Sequence, residues 1–212
     1  VELLLDPIEV RVLGALMEKE VTTPDYYPLS LNALVQACNQ KSSRDPVVDY
    51  DEATVLEALD RLREKGLAAT ITGGGSRVPK HRQRLTERLN LGRREAALLC
   101  VLMLRGAQTP GELRARSAAL YSFSDIDEVL SCLERLREQA PPLVAVLPRQ
   151  PGSREHRYIH LLAGAPQAAE APTRTAPSGQ PPQDRLARLE AEVARLRAEI
   201  DEIKRRIGLS GT

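Results

Sequence analysis

Two stretches of this chain are nearly the same. Val-Leu-Glu-Ala-Leu-Asp-Arg-Leu-Arg-Glu at 55–64 and Val-Leu-Ser-Cys-Leu-Glu-Arg-Leu-Arg-Glu at 129–138 agree at seven of ten positions. Each spaces its apolar residues three and four apart, the pattern of a helix with one buried face. The order of signals around them also repeats. In the first copy Asp6-Pro7-Ile8-Glu9 reads as a capping box opening a helix that carries Val12, Leu13 and Leu16 to about Glu20. After a Thr23-Pro24-Asp25 turn, Ser30 starts a short helix through Leu31, Leu34 and Cys38, and a polar connection runs from Asn39 to Asp49. Asp51 caps the repeated helix and Gly66 stops it. Leu67 to Ile71, a tip at Gly73-Gly74-Gly75 and a return segment around Arg77-Val78 read as a hairpin.

The second copy shows a helix from Arg93 to Leu104, a Gln108-Thr109-Pro110 turn matched to Thr22-Thr23-Pro24, a short helix from Gly111, the repeated helix and a second hairpin. The longer connection before the third helix is the main difference. Three helices followed by a hairpin is the winged-helix order, and two accidents would be needed to produce it twice. The expected fold is therefore mainly α with small β-hairpins (α+β). It comprises a winged-helix domain at 1–90, another at 91–162, a Pro/Ala-rich flexible linker at 163–183 and a coiled-coil helix at 184–207. In that last segment Leu186, Leu189, Val193, Leu196, Ile200, Ile203 and Ile207 form an apolar seam. Arg185, Glu192 and Glu199 at g positions face Glu190, Arg197 and Lys204 at e positions in a parallel partner, all opposite in sign. A parallel homodimer is the expectation, and an amphipathic helix folded back on its own domains is the alternative.

The segment Glu18-Lys-Glu-Val-Thr-Thr-Pro-Asp-Tyr-Tyr-Pro-Leu-Ser-Leu-Asn-Ala-Leu through Ala37-Cys-Asn-Gln-Lys-Ser-Ser-Arg-Asp-Pro46 resembles the signature of the YceH-like family of bacterial proteins. Gly75-Ser-Arg-Val78, Leu104-Arg-Gly-Ala-Gln-Thr-Pro-Gly-Glu-Leu-Arg114 and Arg154-Glu-His-Arg-Tyr-Ile-His-Leu161 agree with it, so the likeness spans roughly residues 3 to 163, short of the linker and coiled coil. It implies tandem winged-helix domains and transfers no catalytic residue.

Nothing in the sequence reads as an active site. Cys38, Cys100 and Cys132 are each alone, without metal-knuckle or C-x-x-C spacing. His156 and His160, four apart in an extended strand, stand about 13 Å from each other, too far to share a metal. His81 lies in a basic run with no carboxylate beside it, the setting of a solvated side chain. The glycine triplet lacks a Gly-Lys-Ser/Thr ending. A non-enzyme without cofactor or metal is expected. With no signal segment and no apolar run of the roughly 20 residues that a membrane span requires, the expected location is cytoplasmic.

Net charge is only +1, so any nucleic-acid binding has to come from local patches. Residues 72–94 hold seven cations, Arg77, Lys80, Arg82, Arg84, Arg88, Arg93 and Arg94, against Glu87. Asn39, Gln40, Lys41, Ser43 and Arg44 offer amide, hydroxyl and cationic groups to phosphates or base edges. Against DNA, residues 51–60 carry four acids and no base. The expected function is a homodimeric DNA-binding regulator that touches duplex DNA through Asn39, Gln40, Lys41, Ser43, Arg44, Arg77, Lys80, Arg82 and Arg84. The alternative is a winged-helix scaffold whose acidic third helices face a protein partner.

Overall fold

A computed structural model describes residues 4–73, 76–149 and 155–164. Helix α1 (Pro7–Thr22) opens on the expected capping box: Asp6 accepts from the Ile8 and Glu9 amides at 2.8 Å, and the Glu9 carboxylate accepts from the Asp6 amide. The helix runs two residues past its expected end. A single 3-10 turn (Pro24–Tyr26) leads to the short strand β1 (Leu29–Ser30) and to α2 (Leu31–Cys38), capped by Ser30. Helix α3 (Glu52–Glu64) is capped by Asp51 and ends before Gly66, whose φ of 68° is left-handed backbone that a side chain would strain. Strands β2 (Ala68–Gly73) and β3 (Ser76–Gln83) follow, then α4 (Leu85–Arg88), which the sequence reading missed. The second half contains α5 (Arg93–Arg105), α6 (Pro110–Arg116), α7 (Ile126–Arg137), β4 (Val144–Leu147) and β5 (Arg157–His160).

The chain is thus mainly helical with small antiparallel sheets. The first sheet has three strands in the order β1-β3-β2, one more than a hairpin, and the second pairs β4 with β5. Gln108 bridges Tyr158, a one-residue counterpart of β1. This places Thr109, the cap of α6, opposite Ser30, the cap of α2, so the alignment with Thr22-Thr23-Pro24 is corrected. The extra length of the first half is also divided between two places. Eight residues separate α1 from α2 against four between α5 and α6, and thirteen separate α2 from α3 against nine between α6 and α7.

The repeat extends to burial and to electrostatics. Residues 55–64 and 129–138 share the same burial class at nine of ten positions. Each half also holds a buried carboxylate at the third position of its first helix against an arginine of its third helix. Glu9 lies 3.6 Å from Arg61 and 2.7 Å from Lys65, and Glu95 lies 3.0 Å from Arg135. Arg61 and Arg135 are matched positions of the repeat. A buried carboxylate requires such partners, so the clasp fixes the third helix against the first in both halves.

Residues 1–166 make one compact unit with a continuous core, in which α1 packs on α5. Gly14 permits that crossing, because a Cβ there would stand 2.9 Å from Leu104 Cδ2 and 3.3 Å from Met103 Cβ. The Cys100 thiol donates to the Gly14 carbonyl at 3.4 Å across the same seam. The linker at 163–183 and the coiled-coil seam at 184–207 lie outside the described residues, apart from the first two linker positions.

Candidate interaction surface

The polar connection between α2 and α3 is a brace. Asn39 closes it by donating to the Tyr50 carbonyl at 2.8 Å and accepting from the Tyr50 amide at 2.9 Å. Arg11, itself buried, donates to the carbonyls of Cys38 (3.2 Å) and Pro46 (2.6 Å). Arg44 has a side chain with 0% exposure. It donates to the Ala37 carbonyl, to both Glu18 carboxylate oxygens at 2.7 and 3.0 Å, to the Ser43 carbonyl and to Gln40 Oε1. The loop also reaches the second half, where the Asp45 amide donates to the Leu104 carbonyl and Arg105 donates to Ser43 Oγ. Backbone drawn into a protein interior has to have its polar groups satisfied, and these residues do that.

Arg44 is therefore not a phosphate contact. Its guanidinium is enclosed and occupied. Asn39 and Gln40 are half-buried; both polar atoms of the Asn39 amide and Oε1 of Gln40 are engaged inside the loop, and Ser43 holds Arg105. Lys41 is exposed, without a hydrogen bond or ion pair among the described residues. His81 is corrected as well. Rather than solvated, it is buried on the inner face of β3, within 3.2 Å of Thr70 Oγ1 by its Nδ1, and burial lowers its pKa.

Along β3 the side chains alternate. His81 and Gln83 point to the core, while Lys80 and Arg82 share the outer face. Arg82 and Arg84 both donate to Glu87, at 2.7 and 3.3 Å, which holds that carboxyl below its usual pKa. Lys80 is half-buried without such a partner among the described residues, and the side chain of Arg77 lies outside them. The outer face of the first hairpin is thus cationic but partly neutralised.

The outward faces of α3 and α7 have another character. On α3, Leu56 is 43% exposed among Glu52, Glu57, Asp60 and Glu64, and the cations there are already engaged, Arg61 with Glu57 and Arg63 with Asp60, both at 2.8 Å. On α7, Leu130 is 37% exposed beside exposed Ile126, Asp127 and Glu134, and Arg137 pairs with Glu134 at 2.6 Å. Leu56 and Leu130 are matched positions of the repeat. The sequence reading weighed the acids but missed the leucines, because in a helical pattern both look like one more position at the margin of the buried stripe.

The described residues hold no cluster of three or more potential metal ligands and no helix long and apolar enough to cross a membrane. Burial raises the pKa of Cys38 and Cys132 to about 12 and that of Cys100 further, so none is a thiolate near neutrality.

Comparison with known proteins places these features in a family. A family profile described as "Protein of unknown function, DUF480" matches residues 5–153. A UPF0502 protein of Solibacter usitatus is 56% identical over 205 residues, covering 95% of this chain and 97% of that protein. Another from Opitutus terrae is 52% identical, covering 91% and 83%, and one from a Shewanella species is 49% identical, covering 92% of each. At 95% coverage the likeness runs past residue 163, beyond the limit expected from the motifs.

Proposed function

The chain belongs to the DUF480 family, and from its own surfaces we propose that it is a non-enzymatic protein-interaction module, a pair of winged helices that docks partners on the outward faces of α3 and α7. The observation that carries this reading is the exposure of Leu56 and Leu130 at matched positions, the first among Glu52, Glu57 and Asp60 and the second beside Ile126, Asp127 and Glu134. In a DNA-reading winged helix the third helix enters the major groove, where phosphates repel carboxylates. A partner protein presenting apolar and basic groups meets the same faces with complementary charge. Of the loop residues counted toward DNA, Asn39, Gln40, Ser43 and Arg44 make hydrogen bonds within the protein, and only Lys41 is left exposed without one among the described residues. The unreactive thiols agree with a binding role. The heptads at 184–207 complete the proposal by joining two copies into a parallel dimer.

A second reading, a homodimeric DNA-binding regulator, is favoured by Lys80 and Arg82 on one face of β3 with Arg84 at its end. One experiment separates the two. A photo-cross-linking amino acid placed at position 56, and separately at 130, is expected to give discrete protein adducts in cells, lost when Glu57→Lys and Asp60→Lys, or Glu134→Lys, reverse the local charge. In parallel, duplex DNA is titrated by fluorescence anisotropy from about 50 to about 200 mM salt, with a slope of no more than one or two phosphates expected. Steeper binding abolished by Lys80→Ala with Arg82→Ala, together with no adducts, replaces docking by DNA recognition.

A further inference from the structure

Strand β2 lies at the edge of its sheet, paired on one side only. The register fixes which backbone groups face outward. The Arg84 amide donates to the Leu67 carbonyl, so within this antiparallel ladder the pairs Ala69–Arg82 and Ile71–Lys80 exchange hydrogen bonds, while Ala68–Gln83 and Thr70–His81 do not. The Gln83 amide, turned away from β2, donates to the Tyr27 hydroxyl, as this assignment requires. The N–H and C=O groups of Ala68 and Thr70 therefore point out of the sheet, away from β3.

The two sides of that edge differ. On the α3 side, a recess of about 490 Å³ is lined by Asp60, Arg63, Glu64 and Ala68. Arg63 is held by Asp60 at 2.8 Å, while Glu64 makes no ion pair among the described residues, so the recess keeps a net negative charge. On the opposite side, Ile71 and Val78 are exposed at 43% and 56%, on the outer face that also carries Lys80 and Arg82 and so disfavours further basic groups. Basic charge at this edge would be met on one face and apolar side chains on the other, and residues of an added strand alternate between those faces.

We infer that the free edge of β2 is a strand-docking site that takes an extended segment of a partner protein in which basic and apolar residues alternate. The segment pairs its backbone chiefly with Thr70, since Ala68 is only 5% exposed. It places a lysine or arginine over Asp60 and Glu64 and an apolar side chain beside Ile71. This mode of β-augmentation derives affinity from main-chain hydrogen bonds and specificity from alternate side chains. It rests on the docking reading, to which it adds the chemistry of the partner segment next to α3.

The test uses the full chain and a labelled peptide of about eight residues alternating valine and lysine, with a control of the same composition in block order. By anisotropy the alternating peptide is expected to bind at least about ten-fold more tightly than the control, and to shift the amide NMR signals of Ala68 and Thr70. Thr70→Pro removes an amide that β3 does not use and also the hydroxyl beside His81, so it is compared with Thr70→Val, which keeps the amide; the proline variant should bind about ten-fold more weakly than the valine one. Methylating alternate peptide nitrogens should do the same with no change in the protein. Asp60→Asn with Glu64→Gln should weaken binding and flatten its salt dependence. Equal affinity for both peptides, indifference to N-methylation in both registers, or NMR shifts elsewhere overturn the inference. If adducts at positions 56 and 130 persist while the peptide fails, only the edge site falls; if the peptide binds without those adducts, docking on the helix faces falls and the edge stands.

Discussion

Arg44→Ala tests the reassignment of the α2–α3 connection from ligand contact to brace. The substitution removes six hydrogen bonds, including a two-pronged pair with Glu18 and two to the Ala37 carbonyl. Breaking a buried ion pair by deleting one partner costs about 3–5 kcal/mol. The lower part of that range applies, because Glu18 keeps 15% of its side-chain surface exposed and partly rehydrates. The Ala37 carbonyl, left short of donors, adds about 1 kcal/mol. A loss of about 4 kcal/mol is a large share of the ~5–15 kcal/mol typical of a folded domain, and in a chain of this size it corresponds to a fall in Tm on the order of 10 °C. Urea unfolding followed by circular dichroism should show the midpoint lowered with the slope unchanged. Lysine at position 44 should recover less than half, since an ammonium cannot reproduce the planar fork that reaches Glu18 and Ala37 together. A loss below about 1 kcal/mol for the alanine variant, the range of a surface ion pair, would refute the burial of this guanidinium and return it to the surface as a phosphate ligand.

Three further outcomes follow. Gly14→Ala should destabilise by about 1–2 kcal/mol in thermal unfolding despite the better helix propensity of alanine, because the added methyl meets Leu104 and Met103 at the α1–α5 crossing; a stabilised variant would mean that the helices cross elsewhere. His160 has its Nδ1 buried without a hydrogen-bond partner, and burial lowers its pKa to about 4, below the roughly 6.5 of an unfolded chain. The fold thus favours the neutral ring: this contribution to stability is full above about pH 6.5 and lost as pH falls toward about 4. His160→Leu should flatten that acid limb, and an NMR titration placing the imidazole near 6.5 would contradict it. Truncation after Gln183 should leave the unit of residues 1–166 folded while shifting the protein from dimer to monomer in sedimentation equilibrium, and identical dimeric masses would place the interface in the domains.

Helix caps and stops were legible in the sequence because they depend on neighbours in the chain. Asp6, Ser30 and Asp51 cap as their side chains dictate, and Gly66 ends α3 with a positive φ. What the sequence did not reveal depends on residues far apart. Leu29–Ser30 become a strand only because β3 lies beside them, and Arg44 is buried only because Glu18, 26 positions earlier, waits one helix away. His81 and Lys80 are one residue apart, and only the pleat decides which is buried. Polarity in a loop signals a need for hydrogen bonds without saying who supplies them, so the same amides and cations fit a ligand site or an internal brace.

The paired clasps have a consequence for the docking faces. Glu9 with Arg61 and Glu95 with Arg135 hold each third helix against its first helix by the same matched positions, so the face turned outward is the same in both halves. That shared geometry is why Leu56 and Leu130 emerge together. The residues around them have nonetheless diverged. Glu52 and Glu57 of α3 correspond to Ile126 and Ser131 of α7, whereas Asp60 and Glu64 correspond to Glu134 and Glu138. The beginning of α7 is accordingly more apolar at Ile126 but no less acidic, because Asp127 and Glu128 stand where α3 has Ala53 and Thr54, and both helices keep their acids toward the end. On the docking reading, a partner surface on α3 requires basic groups on both sides of Leu56, and one on α7 requires them beside Asp127 and Glu134, with a wider apolar patch where Ile126 and Leu130 meet it. On that reading the two halves, each clasped by a buried carboxylate at a matched position, present two different docking surfaces.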